Sequence, residues 1–183
     1  AHWYFNLKIM WKYVPYIDEN VNSNDYGNIS NRELTNDQLW EKIATDLQFA
    51  VDNLPASQTQ IGRPSKIAAQ AYLAKTKLYQ AYEQDEQHNV TKINADKLNQ
   101  VVTLCDAVIA SSYSLEPDFA NNFINGSYEN GRESIFAVQF SKDDGTMFGR
   151  LNYGDVLSAP QGIGCCDFQK PSQNLANAYK TGV

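Results

Sequence analysis

Cysteine is scarce in this 183-residue chain, with three, and histidine scarcer still, with two. Three cysteines are too few for a disulfide framework, and Cys105, Cys165 and Cys166 do not fall at zinc-ligand spacing. Cys105 lies on the apolar side of a predicted helix and reads as a buried thiol. Cys165 and Cys166 are sequence neighbours whose pairing strained geometry opposes, so they read as loop or strand residues without a redox role. The two histidines assemble no Ser/His/Asp or Cys/His constellation. His2 sits in an aromatic helical segment, where it reads as a packing residue, and His88 sits in a polar linker. Neither a metal site nor a cofactor is expected. Clustered positive charge is also missing, because 15 Lys and Arg are outnumbered by 21 Asp and Glu, for a net charge of −6, and the charges are scattered. That excludes the basic surface that nucleic-acid phosphates require. No apolar run approaches the ~20 residues of a membrane-spanning helix.

Two further absences bear on catalysis. The carboxylate pairs Asp18-Glu19, Asp85-Glu86 and Asp143-Asp144 are flanked by polar residues, where solvated charge is expected, whereas general acid/base work needs a buried, perturbed pair. Gly162-Ile163-Gly164 is not followed by a helix start that would present N–H groups to a phosphate. The residues therefore point away from an enzyme.

What the chain does have is helical periodicity and aromatic side chains. Aromatics make up 12% of the residues, as eleven Tyr, eight Phe and three Trp. Tyr and Trp fill cores, but they also form rigid, half-polar surfaces for ligands. Residues 1–11 read as an aromatic helix. Leu39, Ile43, Leu47, Ala50 and Leu54 recur at helical spacing behind a Thr35/Gln38 capping box, and Pro55 closes that helix. After the turn at Gly62-Arg63-Pro64, a second long helix is expected over about 65–83, with Ile67, Ala71, Ala74, Leu78 and Ala81 inward and Tyr72, Tyr79 and Tyr82 filling the space beside them. The stretch 84–93 reads as a polar link. A third long helix is expected over about 94–111, with Leu98, Val101, Val102, Cys105, Val108 and Ile109 as its apolar seam, and one helical turn around 117–123. Residues 134–140, SIFAVQF, are rich in β-branched and aromatic types and read as a single strand. Residues 141–171 read as a long irregular loop, and 174–183 as another helical fragment. The expected fold is mainly α, and the helical periodicity by itself fits either tetratricopeptide-like stacking or a plain irregular helical domain.

Sugars present flat C–H faces between hydroxyl edges, so their sites combine exposed rings with amide, carboxylate or guanidinium groups. The loop Met147-Phe148-Gly149-Arg150-Leu151-Asn152-Tyr153-Gly154-Asp155 mixes these types between glycines. An ordinary loop with its rings tucked under it would carry the same residues.

The succession of motifs resembles a known family. Trp3-Tyr4-Phe5-Asn6-Leu7 runs into Val14-Pro15-Tyr16-Ile17-Asp18-Glu19, followed by Asp46-Leu47, Ala50 and Leu54-Pro55. Gly62-Arg63-Pro64-Ser65-Lys66 then leads into Ala68-Ala69-Gln70-Ala71-Tyr72-Leu73-Ala74-Lys75. Tyr113-Ser114-Leu115, the stretch from Glu133 to Phe140, and Pro171-Ser172-Gln173-Asn174-Leu175 complete the order. In this order the chain resembles the SusD/RagB family of outer-membrane glycan-binding lipoproteins.

The resemblance implies a mainly α fold of tetratricopeptide-like helix pairs with a short β-strand and long irregular loops. It also implies that residues 1–183 are a single helical region of a longer protein, with helices over about 1–123 and a strand and loop region over about 130–183. It further implies a non-catalytic function: binding an oligosaccharide or other nutrient at the cell surface and delivering it to a SusC-like TonB-dependent outer-membrane transporter. Membrane association would come only through a lipid anchor outside this chain. The substrate-binding residues expected on position and chemistry are Phe148, Arg150, Asn152 and Tyr153. The rival reading is a tetratricopeptide-like protein-protein interaction scaffold that binds no sugar.

Overall fold

The computed structural model describes residues 1–124, 126–139 and 172–179. The chain divides into two compact units, 1–137 and 138–183. Four helices carry the first unit: α1 (His2–Trp11), α2 (Asn36–Asn53), α3 (Lys66–Ala81) and α4 (Ala95–Ile109). Between α3 and α4 lies a two-stranded antiparallel sheet, β1 (Tyr82–Gln84) and β2 (Val90–Ile93). Within the second unit, α5 (Gln173–Ala178) is capped by the Ser172 hydroxyl, which accepts from Leu175 N–H. The chain is mainly helical.

The helix ends follow local chemistry. At the front of α2 the Thr35 hydroxyl accepts from Gln38 N–H at 3.2 Å, and the Gln38 side chain accepts from Thr35 N–H at 2.9 Å, completing the expected capping box. Pro55 pushes Leu54 into extended geometry (ψ 145°), and α2 stops there. Gly62, at φ 87°, makes the following turn in a conformation other residues avoid. Ser65 then caps α3, and Asn94 caps α4.

Packing is antiparallel along the row of helices. Lys8 near the end of α1 meets Asn36 at the start of α2. Gln80 near the end of α3 donates to Glu41 near the start of α2, and Lys97 at the start of α4 reaches the same carboxylate at 3.4 Å. Burial pushes the Glu41 carboxyl up, but the Gln80 hydrogen bond and the ammonium groups of Lys77 and Lys97 outweigh it and hold it below its usual range. The core gathers Phe5 from α1, Leu39, Trp40, Ile43, Leu47 and Val51 from α2, and Ala69 and Leu73 from α3. Phe5 is the hub of its aromatic part, edge-on to Trp40, Tyr72 and Tyr79 at 5.2–5.5 Å between ring centres.

Several expectations are corrected. The buried stripe of α3 runs through Ala69, Leu73, Thr76 and Gln80, with Ala74 and Ala81 also buried, whereas Leu78 is exposed. Tyr79 and Tyr82 are exposed as well, and only Tyr72 is partly buried. The reason is that α3 contacts both α2 and α4, so two neighbours, and not one apolar seam, select which side is covered. Cys105 is exposed, along with Val102 and Ile109, because α4 turns the line of Leu98, Val101 and Leu104 towards α3. His2 is exposed too, packed against the rings of Trp3 and Tyr72 and bonded to Asn6.

No strand forms over 134–139. Within it the Ile135 carbonyl accepts from Tyr113 Oη at 3.5 Å, and β-branched and aromatic composition by itself does not make a strand. The sheet arises where a polar link was expected. There Asp85 accepts from the N–H groups of Gln87 and Asn89 and closes a five-residue loop, so that Val90–Ile93 returns alongside Tyr82–Gln84.

Candidate functional site

Phe148, Arg150, Asn152 and Tyr153, the loop residues expected to touch ligand, lie outside the described residues, as do Cys165 and Cys166. The concave regions of the first unit that combine polar groups with rings include two that draw on loops or the hairpin. One, of about 210 Å³, is lined by the 57–65 loop on one side and by Tyr113 and residues 134–137 on the other. The second, of about 190 Å³, opens at the C-terminal end of α1 and draws on α1, α2, α3 and the hairpin.

Lys8, one turn before the end of α1, supplies the inner wall of this second cleft and is only 3% exposed. Its ammonium donates to the Lys12 carbonyl at 3.0 Å and to Asn36 Oδ1 at 2.8 Å, and lies 4.9 Å from the centre of the Trp40 ring. The first bond satisfies a helix-end carbonyl and the helix dipole. The second is oriented by Asp37, whose carboxylate accepts from Asn36 Nδ2 at 2.9 Å. Burial lowers the Lys8 amine to a pKa of about 8; the nearby charge of Asp37 opposes this, and that of Lys12 adds to it.

Lys12 follows the helix end in an unusual backbone. Its φ of 57° and ψ of −49°, with Tyr13 N–H bonded to the Trp11 carbonyl, describe a γ-turn of the rare positive-φ kind. From that turn the Lys12 ammonium donates to the Asp85 carbonyl, tying the end of α1 to the hairpin loop. A second tie lies beside it: Tyr13 Oη donates to Glu86, Arg32 pairs with the same carboxylate at 3.2 Å, and the Arg32 guanidinium lies 3.9 Å over the Tyr13 ring. The hydrogen bond to Glu86 pushes the Tyr13 hydroxyl above its ordinary pKa and holds the Glu86 carboxyl below its own.

These ties fix the hairpin so that Gln84 and His88 line the cleft opposite Lys8. His88 itself has a φ of 67°. Tyr79 and Tyr82 supply exposed rings at the rim, and Trp40 is the buried ring behind them. The cleft thus offers aromatic faces, two amide side chains and two ammonium groups. Both ammonium groups are bonded to neutral oxygens, and among the described residues neither lies within ion-pair distance of a carboxylate.

Sequence reasoning missed this arrangement because its residues come from four elements and form no motif. The one local signal was the pair Tyr79 and Tyr82, three residues apart, the first near the end of α3 and the second opening β1. Among the described residues there is no cluster of three or more His, Cys, Asp or Glu side chains able to hold a metal ion. Nor is any described helix long and apolar enough to cross a membrane.

Comparison with known proteins adds to the geometry. Residues 1–78 match a SusD-like family model described as starch-binding, associating with the outer membrane. The chain is also 30% identical over 141 residues to a SusD-like protein of Formosa agariphila, a match that covers 76% of this chain and 25% of that relative. The chain spans about a quarter of the length of the curated relative it matches.

Proposed function

We propose that the chain belongs to the SusD-like family and is part of a surface protein that captures an oligosaccharide or other nutrient, without cleaving it, and passes it to a TonB-dependent outer-membrane transporter. The observation that carries this reading is the match of residues 1–78, which span α1, α2 and most of α3, to a family described by starch binding at the outer membrane. The chemistry of the cleft is consistent with it, since Tyr79 and Tyr82 present exposed rings beside Asn36 and Gln84, the combination that sugar faces and hydroxyl edges call for. Phe148, Arg150, Asn152 and Tyr153 remain our choice for principal binding residues. Residues 1–183 form one region of the longer protein, with helices over about 1–123 and the ligand loop within about 130–183. Anchoring belongs to a lipid outside this chain.

The test is calorimetry of the full-length protein against neutral and acidic glycans. Binding without hydrolysis is expected. Silence across the whole set, alongside tight binding of a protein partner, would favour a scaffold and refute the proposal. Replacing Phe148 and Tyr153 by Ala is expected to weaken binding by about 1 kcal/mol for each lost stacking contact. Unchanged affinity would remove the loop from the site.

A further inference from the structure

We propose that the cleft at the C-terminal end of α1 is a separate saccharide subsite that takes a sugar residue bearing a carboxylate, the acid pairing with Lys8 and the ring lying against Tyr79 and Tyr82. This rests on the reading of the protein as a saccharide binder, but uses residues distant in sequence from the 147–155 loop.

Three observations carry it. First, Lys8 is a buried cation with no carboxylate beside it among the described residues; Asp37 is one side chain removed, held off by Asn36. A buried charge is costly unless it is paired, and helix-end carbonyls offset only part of that cost. A lysine needed only to cap a helix serves equally well from solvent. Second, two of the three non-glycine residues with positive φ among those described, Lys12 and His88, line this one cleft. Such backbone persists where the surroundings enforce it, and it gathers at ligand sites. Third, the other walls include rings and amides, suited to a pyranose.

The donor count at Lys8 suits a carboxylate oxygen. The Lys8 ammonium has three N–H groups and uses two within the protein, leaving one for a ligand oxygen. A volume of about 190 Å³ fits a single residue of a chain, with the rest of the oligosaccharide outside.

The full-length protein is titrated with tetragalacturonate and with maltotetraose, as wild type, as Lys8→Met, as Tyr82→Ala and as the Phe148→Ala/Tyr153→Ala double variant. Lys8→Met is expected to lose tetragalacturonate affinity by about tenfold or more, as befits a hydrogen bond to a charged group. Tyr82→Ala, which alters only an exposed ring and leaves the buried amine in place, is expected to lose it several-fold. The Lys8 amine is followed by NMR in the wild type, where it faces Lys12, Asp37 and His88. Its pKa is expected to rise from about 8 when tetragalacturonate binds, because an adjacent anion favours the ammonium. Binding that survives the loop double variant but not Lys8→Met supports the subsite. Maltotetraose binding with no tetragalacturonate binding overturns the subsite and leaves glycan capture standing. Equal tetragalacturonate affinity in wild type and both cleft variants, with an unmoved amine, also overturns it. Silence towards every glycan overturns both.

Discussion

Lys8 is where a single residue departs furthest from what its type prefers. A lysine amine normally titrates near 10.5, and here burial brings it to about 8. The consequence for stability has a definite sign. Between pH 8 and 10.5 the unfolded chain holds a proton on this amine that the folded chain has released, so folding is favoured as pH rises through that window and disfavoured as pH falls through 8. Relative to Lys8→Met, which has no such proton, the wild type is therefore expected to gain stability between pH 7 and pH 10 in urea unfolding. A gap that stays constant with pH would show that the amine titrates normally. Cys105 poses the opposite case, an apolar-leaning residue on the outside. In protein carrying Cys165→Ser and Cys166→Ser, a thiol reagent is expected to label Cys105 without denaturant. Labelling only after unfolding would mean that the outer face of α4 is covered.

The elements divide into those held by local rules and those held by their neighbours. At α2 the Thr35/Gln38 capping box satisfies two N–H groups reciprocally, so Thr35→Ala is expected to cost about 1 kcal/mol in urea unfolding. Ile43, fully buried on the same helix, is expected to cost roughly 2–5 kcal/mol when cut to Ala, because the removed atoms leave a cavity between packed helices. The contrast between the two measures how much of α2 is cap and how much is packing. The hairpin is held differently, by polar ties to the segment after α1. In Glu86→Gln the Tyr13 hydroxyl is expected to titrate lower than in the wild type, as read by its ultraviolet titration, since the Glu86 hydrogen bond is the largest cause of its raised pKa. An unmoved Tyr13 would place the hairpin loop elsewhere in solution.

Across the whole chain, what could be read in advance follows a physical boundary. The helices at 36–53, 66–81 and 95–109, the turn at Gly62 and the capping box at Thr35 were legible, because an i to i+3 cap and a 3.6-residue period are properties of a short stretch of chain. The likeness to the SusD-like family was legible too, from the order of short motifs. The facing of α3 and α4 was not. Leu78 and Cys105 sit at positions that suit an inward stripe, and which stripe is covered depends on where the neighbouring helices lie. The strand expected from 134–140 had the right residue types, yet its described residues, 134–139, form none. The pairing of Tyr82–Gln84 with Val90–Ile93 hung on one carboxylate, Asp85, folding back on its own loop. The sequence by itself thus determined the helical segments, the capping box at Thr35 and the likeness to a family. Tertiary structure alone decided that Lys8, Asn36, Tyr79 and His88, up to 80 positions apart, share one cleft, because burial and proximity belong to the packed chain and not to any stretch of it.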